Sequence, residues 1–284
     1  MRDKKLINID KVSAIVGGFC SGETLAVAPT AEANKVIMIS PASTAPKVSE
    51  AGDYIFRNVA SDNYQGKFAA SYIYNTLGIR KAAVLYAVTD YTQGIATVFA
   101  EEFKKLGGEI MVTDNFLQDS RDLRAQLTKV KNSGADVLYF AAQTEAGAVG
   151  LKQAQELGIT MQIVGAETFS DPKVVTAQGA NGMMYTAPLS KESEEFKAKY
   201  FAYAGKSDNL PVYASQTYDA INMLAMVMKK VGTNPEAVKN ELYNVKNYKG
   251  ASGEISFDQN GDPVSADYQV MKVTDGKAAL YQAQ

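Results

Sequence analysis

The sequence predicts an α/β protein built as two doubly wound lobes with parallel sheets, and three observations predict it. Short apolar runs alternate with helix-like stretches along most of the chain. Each apolar run ends in small polar residues. Beyond Leu189 the alternation gives way to helical patterns alone. Strands separated by helices pair in parallel, so their carboxyl ends share one sheet edge. Open α/β sheets hold ligands at that edge. The polar exits are therefore the candidate site. Ala14-Ile15-Val16-Gly17-Gly18 runs into Cys20-Ser21-Gly22, and Val36-Ile37-Met38-Ile39-Ser40 into Pro41-Ala42-Ser43-Thr44. Ala83-Val84-Leu85-Tyr86 leads to Thr89-Asp90-Tyr91, Val137-Leu138-Tyr139-Phe140 to Gln143-Thr144, and Ile163-Val164-Gly165 to Glu167-Thr168.

In chain order, a strand at 12–17 precedes an amphipathic stretch at 23–34 and a strand at 36–39. Pro41, Pro46 and Gly52 break the pattern before the strand at 54–59. Phe68, Ala69, Tyr72, Ile73 and Leu77 recur at helical spacing, with Ser61 or Asp62 as the N-cap and Gly78 as the stop. Strands at 81–87, 109–113, 136–141 and 161–165 alternate with helices at 91–106, 120–133 and 145–157, which end at Gly107, Gly134 and Gly158. A short helix and the strand Met183–Thr186 follow, then three helices at 191–204, 211–231 and 234–244. The tail reads as a β pair, 253–258 with 268–273, around Asn260-Gly261. The helices at 191–244 need a sheet to cover, so they are expected to return to the first lobe. The predicted division is 1–57 with 188–252 for lobe 1 and 58–187 with 253–284 for lobe 2, which requires three crossings.

Composition narrows the function. The chain has 284 residues, 46% of them hydrophobic and 21% charged, enough for two cores. A net charge of −2 gives no electrostatic reason to expect nucleic acid or an anionic membrane as partner. No apolar run reaches the roughly 18 residues of a membrane span, and Met1-Arg2-Asp3-Lys4-Lys5 is not followed by a signal-peptide core. The single cysteine excludes an internal disulfide. Histidine is absent, which removes the commonest general base, the commonest metal ligand and the usual nucleophilic triads. Neither a metal nor an organic cofactor is expected.

An ordered set of landmarks then carries a resemblance. Gly18-Phe19-Cys20-Ser21, Ile39-Ser40-Pro41-Ala42-Ser43-Thr44-Ala45-Pro46, Phe56-Arg57, Asp90-Tyr91, Gly165-Ala166-Glu167, Tyr218-Asp219-Ala220 and Gly253-Glu254-Ile255-Ser256-Phe257-Asp258 span nearly the whole chain. In this order the chain resembles the periplasmic leucine/isoleucine/valine-binding proteins, the solute receptors of branched-chain amino acid ABC transporters. The resemblance implies the type I periplasmic binding fold: two Rossmann-like lobes joined by three crossings that close on a ligand by hinge motion. It implies a receptor rather than an enzyme, a membrane permease as partner, and a periplasmic or surface-anchored location for the full-length protein. It also implies an incomplete first lobe. In the family a strand, a helix and a second strand, about sixty residues, precede the equivalent of Asp10, whereas here Met1 enters inside a helix.

The site residues follow from what a zwitterion requires. Its carboxylate needs donors, and its ammonium needs a charged acceptor. Ser21 lies where a strand meets a helix, so its hydroxyl and neighbouring N–H groups suit an anion; by spacing alone it is equally a plain N-cap. The resemblance adds Ala42 and Thr44 to the carboxylate set, in a segment that otherwise reads as a turn, and directs Ser43 elsewhere. Glu167 directly follows an apolar strand, and the resemblance makes it the acceptor for the ammonium; the bland reading is a solvated loop carboxylate. The resemblance makes Tyr91 the aromatic that hydrogen-bonds through its hydroxyl and covers the ligand with its ring. The family has Tyr-Gly here and this chain Tyr91-Thr92, so a shifted helix start is expected. Gln143 and Thr144 replace a family pair of aromatics. Cys20, without a disulfide partner, is expected to be a small buried filler.

Other features take structural readings. Met183, Met184, Met223, Met226 and Met228 are expected in cores. Asp258-Gln259-Asn260-Gly261-Asp262 lacks the full calcium-loop pattern and reads as a turn. Two alternatives stay open: a sensory domain of the same fold that signals to a partner protein, and an enzyme using Glu167 and Asp90 as a general acid/base pair.

Overall fold

A computed structural model describes residues 2–189, 191–205, 210–264 and 267–282; Met1 lies outside them. The chain divides into unit 1, Met1–Ser61 with Ser190–Ala266, and unit 2, Asp62–Leu189 with Asp267–Gln284. The connectivity thus changes unit three times. The changes fall at 61/62, 189/190 and 266/267 rather than at 57/58, 187/188 and 252/253.

Unit 1 begins with α1 (Arg2–Asn8), β1 (Ala14–Val16), α2 (Ser21–Ala33), β2 (Ile37–Ser40) and β3 (Ile55–Arg57). A 3-10 helix, Pro46–Glu50, fills the break between β2 and β3. The three strands form a parallel sheet in the order β1-β2-β3. Side chains alternate across it, because a strand presents successive residues to opposite faces. Met38, Ile15 and Ile55 meet Ile7, Val27 and Ala31 of the first two helices. Ile37, Ile39 and Phe56 face the other way.

Unit 2 contains α3 (Asp62–Ser71), β4 (Lys81–Ala87), α4 (Asp90–Lys105), β5 (Glu109–Phe116), α5 (Arg124–Lys131), β6 (Val137–Ala141), α6 (Thr144–Glu156), β7 (Gln162–Gly165), α7 (Pro172–Val175) and β8 (Met184–Pro188). The predicted long first helix is α3 followed by a π-helical turn, Tyr72–Thr76. Unit 1 then resumes with α8 (Glu194–Ala204), α9 (Ala214–Val231), α10 (Pro235–Tyr243), β9 (Tyr248–Gly250) and β10 (Gly253–Ile255). Met223, Val227, Val238 and Leu242 of α9 and α10 close over Ile37, Ile39 and Phe56, so these helices return to the first sheet as expected. The chain finishes in unit 2 with β11 (Tyr268–Thr274) and β12 (Lys277–Leu280).

The second sheet runs β12-β11-β8-β7-β6-β4-β5, with β11 antiparallel to its neighbours β8 and β12 and the other pairs parallel. Ala83, Leu85, Leu138 and Phe140 face α5 and α6. Val84, Val137 and Tyr139 face Ile73 and the α4 residues Ile95, Phe99 and Phe103. Burial on both faces explains why these strands read as unbroken apolar runs.

The tail corrects two expectations. The 253–258 run does not pair with 268–273: β10 pairs with β9, whereas β11 lies between β8 and β12. Asn260-Gly261 instead turns a tight bend closed by the bridge Phe257↔Pro263. The segment 253–264 also belongs to unit 1, not to the second lobe. Burial decides it, since Ile255 and Phe257 join the cluster of Phe56 and Met223. Met226 corrects a third, being 46% exposed, whereas Met183, Met184 and Met223 are buried.

Candidate ligand-binding site

In unit 1 the exits of β1 and β2, neighbours in the sheet, bring Ser21, Ala42 and Thr44 to one edge. Ser21 opens α2 and is buried. Its Oγ accepts the N–H of Ala45 at 3.1 Å, which leaves the hydroxyl hydrogen available to an anion beside the first-turn N–H groups. The Gly18 carbonyl accepts three hydroxyls, from Ser40 at 2.6 Å, Ser43 at 2.9 Å and Thr24 at 3.3 Å. Ser40 Oγ also accepts the N–H of Ser43 at 2.9 Å. The two exit loops are thereby tied together. Gly18 is required there: its φ is 75°, and a Cβ would stand 2.0 Å from Thr24 Oγ1. The Ser43 hydroxyl is engaged by the Gly18 carbonyl and Thr24 Oγ1.

Cys20 overturns its expected burial. It is exposed and caps α2, its N–H donating to Glu23 Oε2 at 3.0 Å. A residue at a helix N-cap stands outside the packed face, so small size does not bury it. Partial desolvation and then Glu23 push its thiol pKa up, which keeps the sulfur protonated.

In unit 2 the exits of β7, β6 and β4, adjacent in the sheet, carry Glu167, Gln143, Thr144 and Tyr91. Tyr91 is the second residue of α4 and buried. Thr92, which replaces the family glycine, reinforces that helix start: its N–H donates to Thr89 Oγ1 at 3.2 Å and its hydroxyl to the Ala87 carbonyl at 2.5 Å. Glu167 begins a 3-10 turn after β7 and is buried. The next residue, Thr168, donates to the Ala142 carbonyl at 2.8 Å, joining the β7 and β6 exits. Gln143 is the N-cap of α6 and half-buried. The Thr144 hydroxyl turns to Asp171 Oδ2 at 3.4 Å.

Three residues enter the picture only with the structure. Phe19 is 57% exposed beside Ser21, and its ring meets Tyr213 edge-on at 5.9 Å. Tyr213 holds φ 65°, a left-handed conformation that bulky residues seldom adopt and that accumulates at functional positions. In unit 2, Tyr139 stacks on Phe99 at 4.0 Å, fully buried. Its hydroxyl has no hydrogen-bond partner among the described residues. Burial first, then the carboxylates of Asp62 and Glu167, hold its pKa well above the phenol range. Phe19 lies in the Gly18-Phe19-Cys20-Ser21 motif and was open to detection; the backbone of Tyr213 and the burial of Tyr139 were not.

No cluster of metal-ligating side chains occurs among the described residues. Unit 1 offers donors beside a helix N-terminus, and unit 2 offers a buried carboxylate and a buried aromatic ring at its own sheet edge.

The periplasmic binding protein family matches residues 4–278. A leucine-, isoleucine-, valine-, threonine- and alanine-binding protein of Pseudomonas aeruginosa is 28% identical, over 94% of this chain and 72% of the relative. An amino acid binding protein of the same organism is 30% identical, over 95% and 74%. Among solved structures, the leucine binding protein LivK of Thermotoga maritima superposes with TM-score 0.90 at 28% identity, covering 99% of this chain and 82% of that one. The branched-chain amino acid transporter substrate binding protein LivJ of Streptococcus pneumoniae, in complex with isoleucine, gives 0.85 at 30% identity, covering 98% and 81%. With its two α/β units, three crossings and polar strand exits, this chain belongs to the periplasmic binding protein family.

Proposed function

We propose that the protein is a solute receptor that binds a small aliphatic amino acid and delivers it to the permease of an ABC importer on the outer side of the cytoplasmic membrane. The observation that carries this reading is Glu167, a buried carboxylate at the carboxyl end of β7, on the sheet edge that also bears Tyr91 and Gln143. A carboxylate on that edge can accept an α-ammonium through a charge-assisted hydrogen bond. In unit 1, the edge that carries Ser21, Ala42 and Thr44 suits a carboxylate. Thr144, with its hydroxyl on Asp171, contributes less than Gln143. Relatives named for leucine, isoleucine, valine, threonine and alanine support this substrate class.

Calorimetric titration of the purified chain with L-leucine, L-isoleucine, L-valine, L-threonine and L-alanine tests it. Saturable, reversible binding of at least one, with no product formed on prolonged incubation, is expected. Absence of binding to all five removes the receptor reading. Turnover of any of them favours an enzyme using Glu167 and Asp90.

A further inference from the structure

Arg57 is the largest fully buried side chain among the described residues, and all five of its N–H donors are matched. Nε and Nη2 each donate to Asp262 at 2.6 Å. The second Nη2 hydrogen goes to Ser49 Oγ at 2.6 Å, and that hydroxyl donates to Asp262 Oδ2 at 2.6 Å. Nη1 donates to two backbone carbonyls, Ser43 at 3.2 Å and Ala45 at 2.9 Å. Those carbonyls flank Thr44. The peptide N–H of Ala45 is meanwhile held by Ser21. The Ser43–Ala45 segment is thus gripped from both sides, by a hydroxyl at the candidate carboxylate site and by a guanidinium beneath it.

Asp262 is itself fixed. Its N–H donates to Asp258 Oδ1 at 3.0 Å, and its carbonyl accepts the N–H of Asp258 at 2.8 Å. The Gly261 carbonyl accepts the N–H of Arg57 at 3.0 Å. The Asp258–Asp262 turn therefore serves as a base for the guanidinium. An ion pair is an expensive way to fill a core, because apolar residues of similar volume serve as well or better. The use that distinguishes this one is directional: a rigid fork of donors aimed at two carbonyls of a binding loop.

We propose that Arg57, fixed by Asp262 and Ser49, is a positioning residue for the ligand carboxylate. It never touches the ligand, since every donor is engaged and the side chain is 0% exposed. It presets the Ala42–Ala45 backbone so that donors already face the carboxylate when the ligand arrives, which lowers the ordering cost of binding.

The inference rests on amino-acid binding by this chain, and the experiment separates the two. L-leucine and L-leucinamide, which keeps the ammonium and side chain but lacks the carboxylate, are titrated into the parent, the amide by competition. The same pair is titrated into Arg57→Met/Asp262→Leu, which replaces the ion pair with apolar side chains, and into Ser49→Ala, which removes only the bridging hydroxyl. The parent is expected to prefer leucine strongly. The double variant is expected to lose about tenfold in leucine affinity with leucinamide affinity little changed, so that the preference shrinks about tenfold. Ser49→Ala should shrink it by about two- to fivefold. A purely structural role instead lowers the melting temperature and weakens both ligands equally; an unchanged preference in folded variants overturns the proposal. If the double variant does not fold, Ser49→Ala decides by the same ratio. A parent that binds neither ligand overturns the receptor reading and this proposal with it, whereas intact preference in the variants overturns this proposal alone.

Discussion

The Ser21 hydroxyl accepts the backbone N–H of Ala45 across 24 positions of sequence, joining the exits of β1 and β2. Ser21→Ala therefore removes the donor proposed for the ligand carboxylate and also loosens the loop. Backbone donors of α2 remain, so the expected loss of amino-acid affinity is about fivefold, read by calorimetry. A loss exceeding that of Glu167→Gln would reverse the assigned roles.

Glu167→Gln keeps shape and removes charge. Amino-acid binding is expected to weaken at least about tenfold, or about 1.4 kcal/mol, with little change in melting temperature. Equal affinity in parent and variant would take Glu167 out of the site.

Gly18→Ala combines a left-handed φ with a Cβ placed on Thr24 Oγ1. The expected result is a loss of about 1–3 kcal/mol in stability together with weaker binding, because the Gly18 carbonyl anchors Ser40, Ser43 and Thr24. Denaturant unfolding and titration of the same sample measure both.

Tyr139→Phe removes a buried hydroxyl that has no hydrogen-bond partner among the described residues. Such a group costs about 1–3 kcal/mol of desolvation, so the variant should be at least as stable as the parent. A clear drop in melting temperature would reveal a partner for the hydroxyl.

Glu236 sets an acid limit on unit 1. Its pKa is drawn down to about 2, first by hydrogen bonding to Lys239, then by Tyr54. A folded pKa below the unfolded one contributes stability above the ordinary carboxylate range and loses it as pH falls toward about 2. Tyr54, pushed up to about 12 by burial and then by Glu236, behaves oppositely. Its contribution holds below the ordinary phenol pKa and fades as pH rises through about 12. Glu236→Gln should flatten the fall in melting temperature between pH 5 and pH 2.5, and an unchanged slope would refute the linkage.

What the sequence determined by itself was local and periodic. The apolar runs at Ile37–Ile39, Val84–Leu85 and Val137–Phe140 identify parallel strands because both their faces are covered, and the polar residues after them mark the candidate binding edge. Tertiary structure decided what depends on partners distant in sequence. Phe257 packs on Phe56 across 201 positions, keeping 253–264 in unit 1, and β11 finds β8 rather than β10. Cys20 is exposed because a helix N-cap stands outside the packed face. Arg57 was legible as a motif residue, yet its partner Asp262 lies 205 positions away. Periodicity records which face of an element is buried; it carries no information about which distant element arrives to cover it.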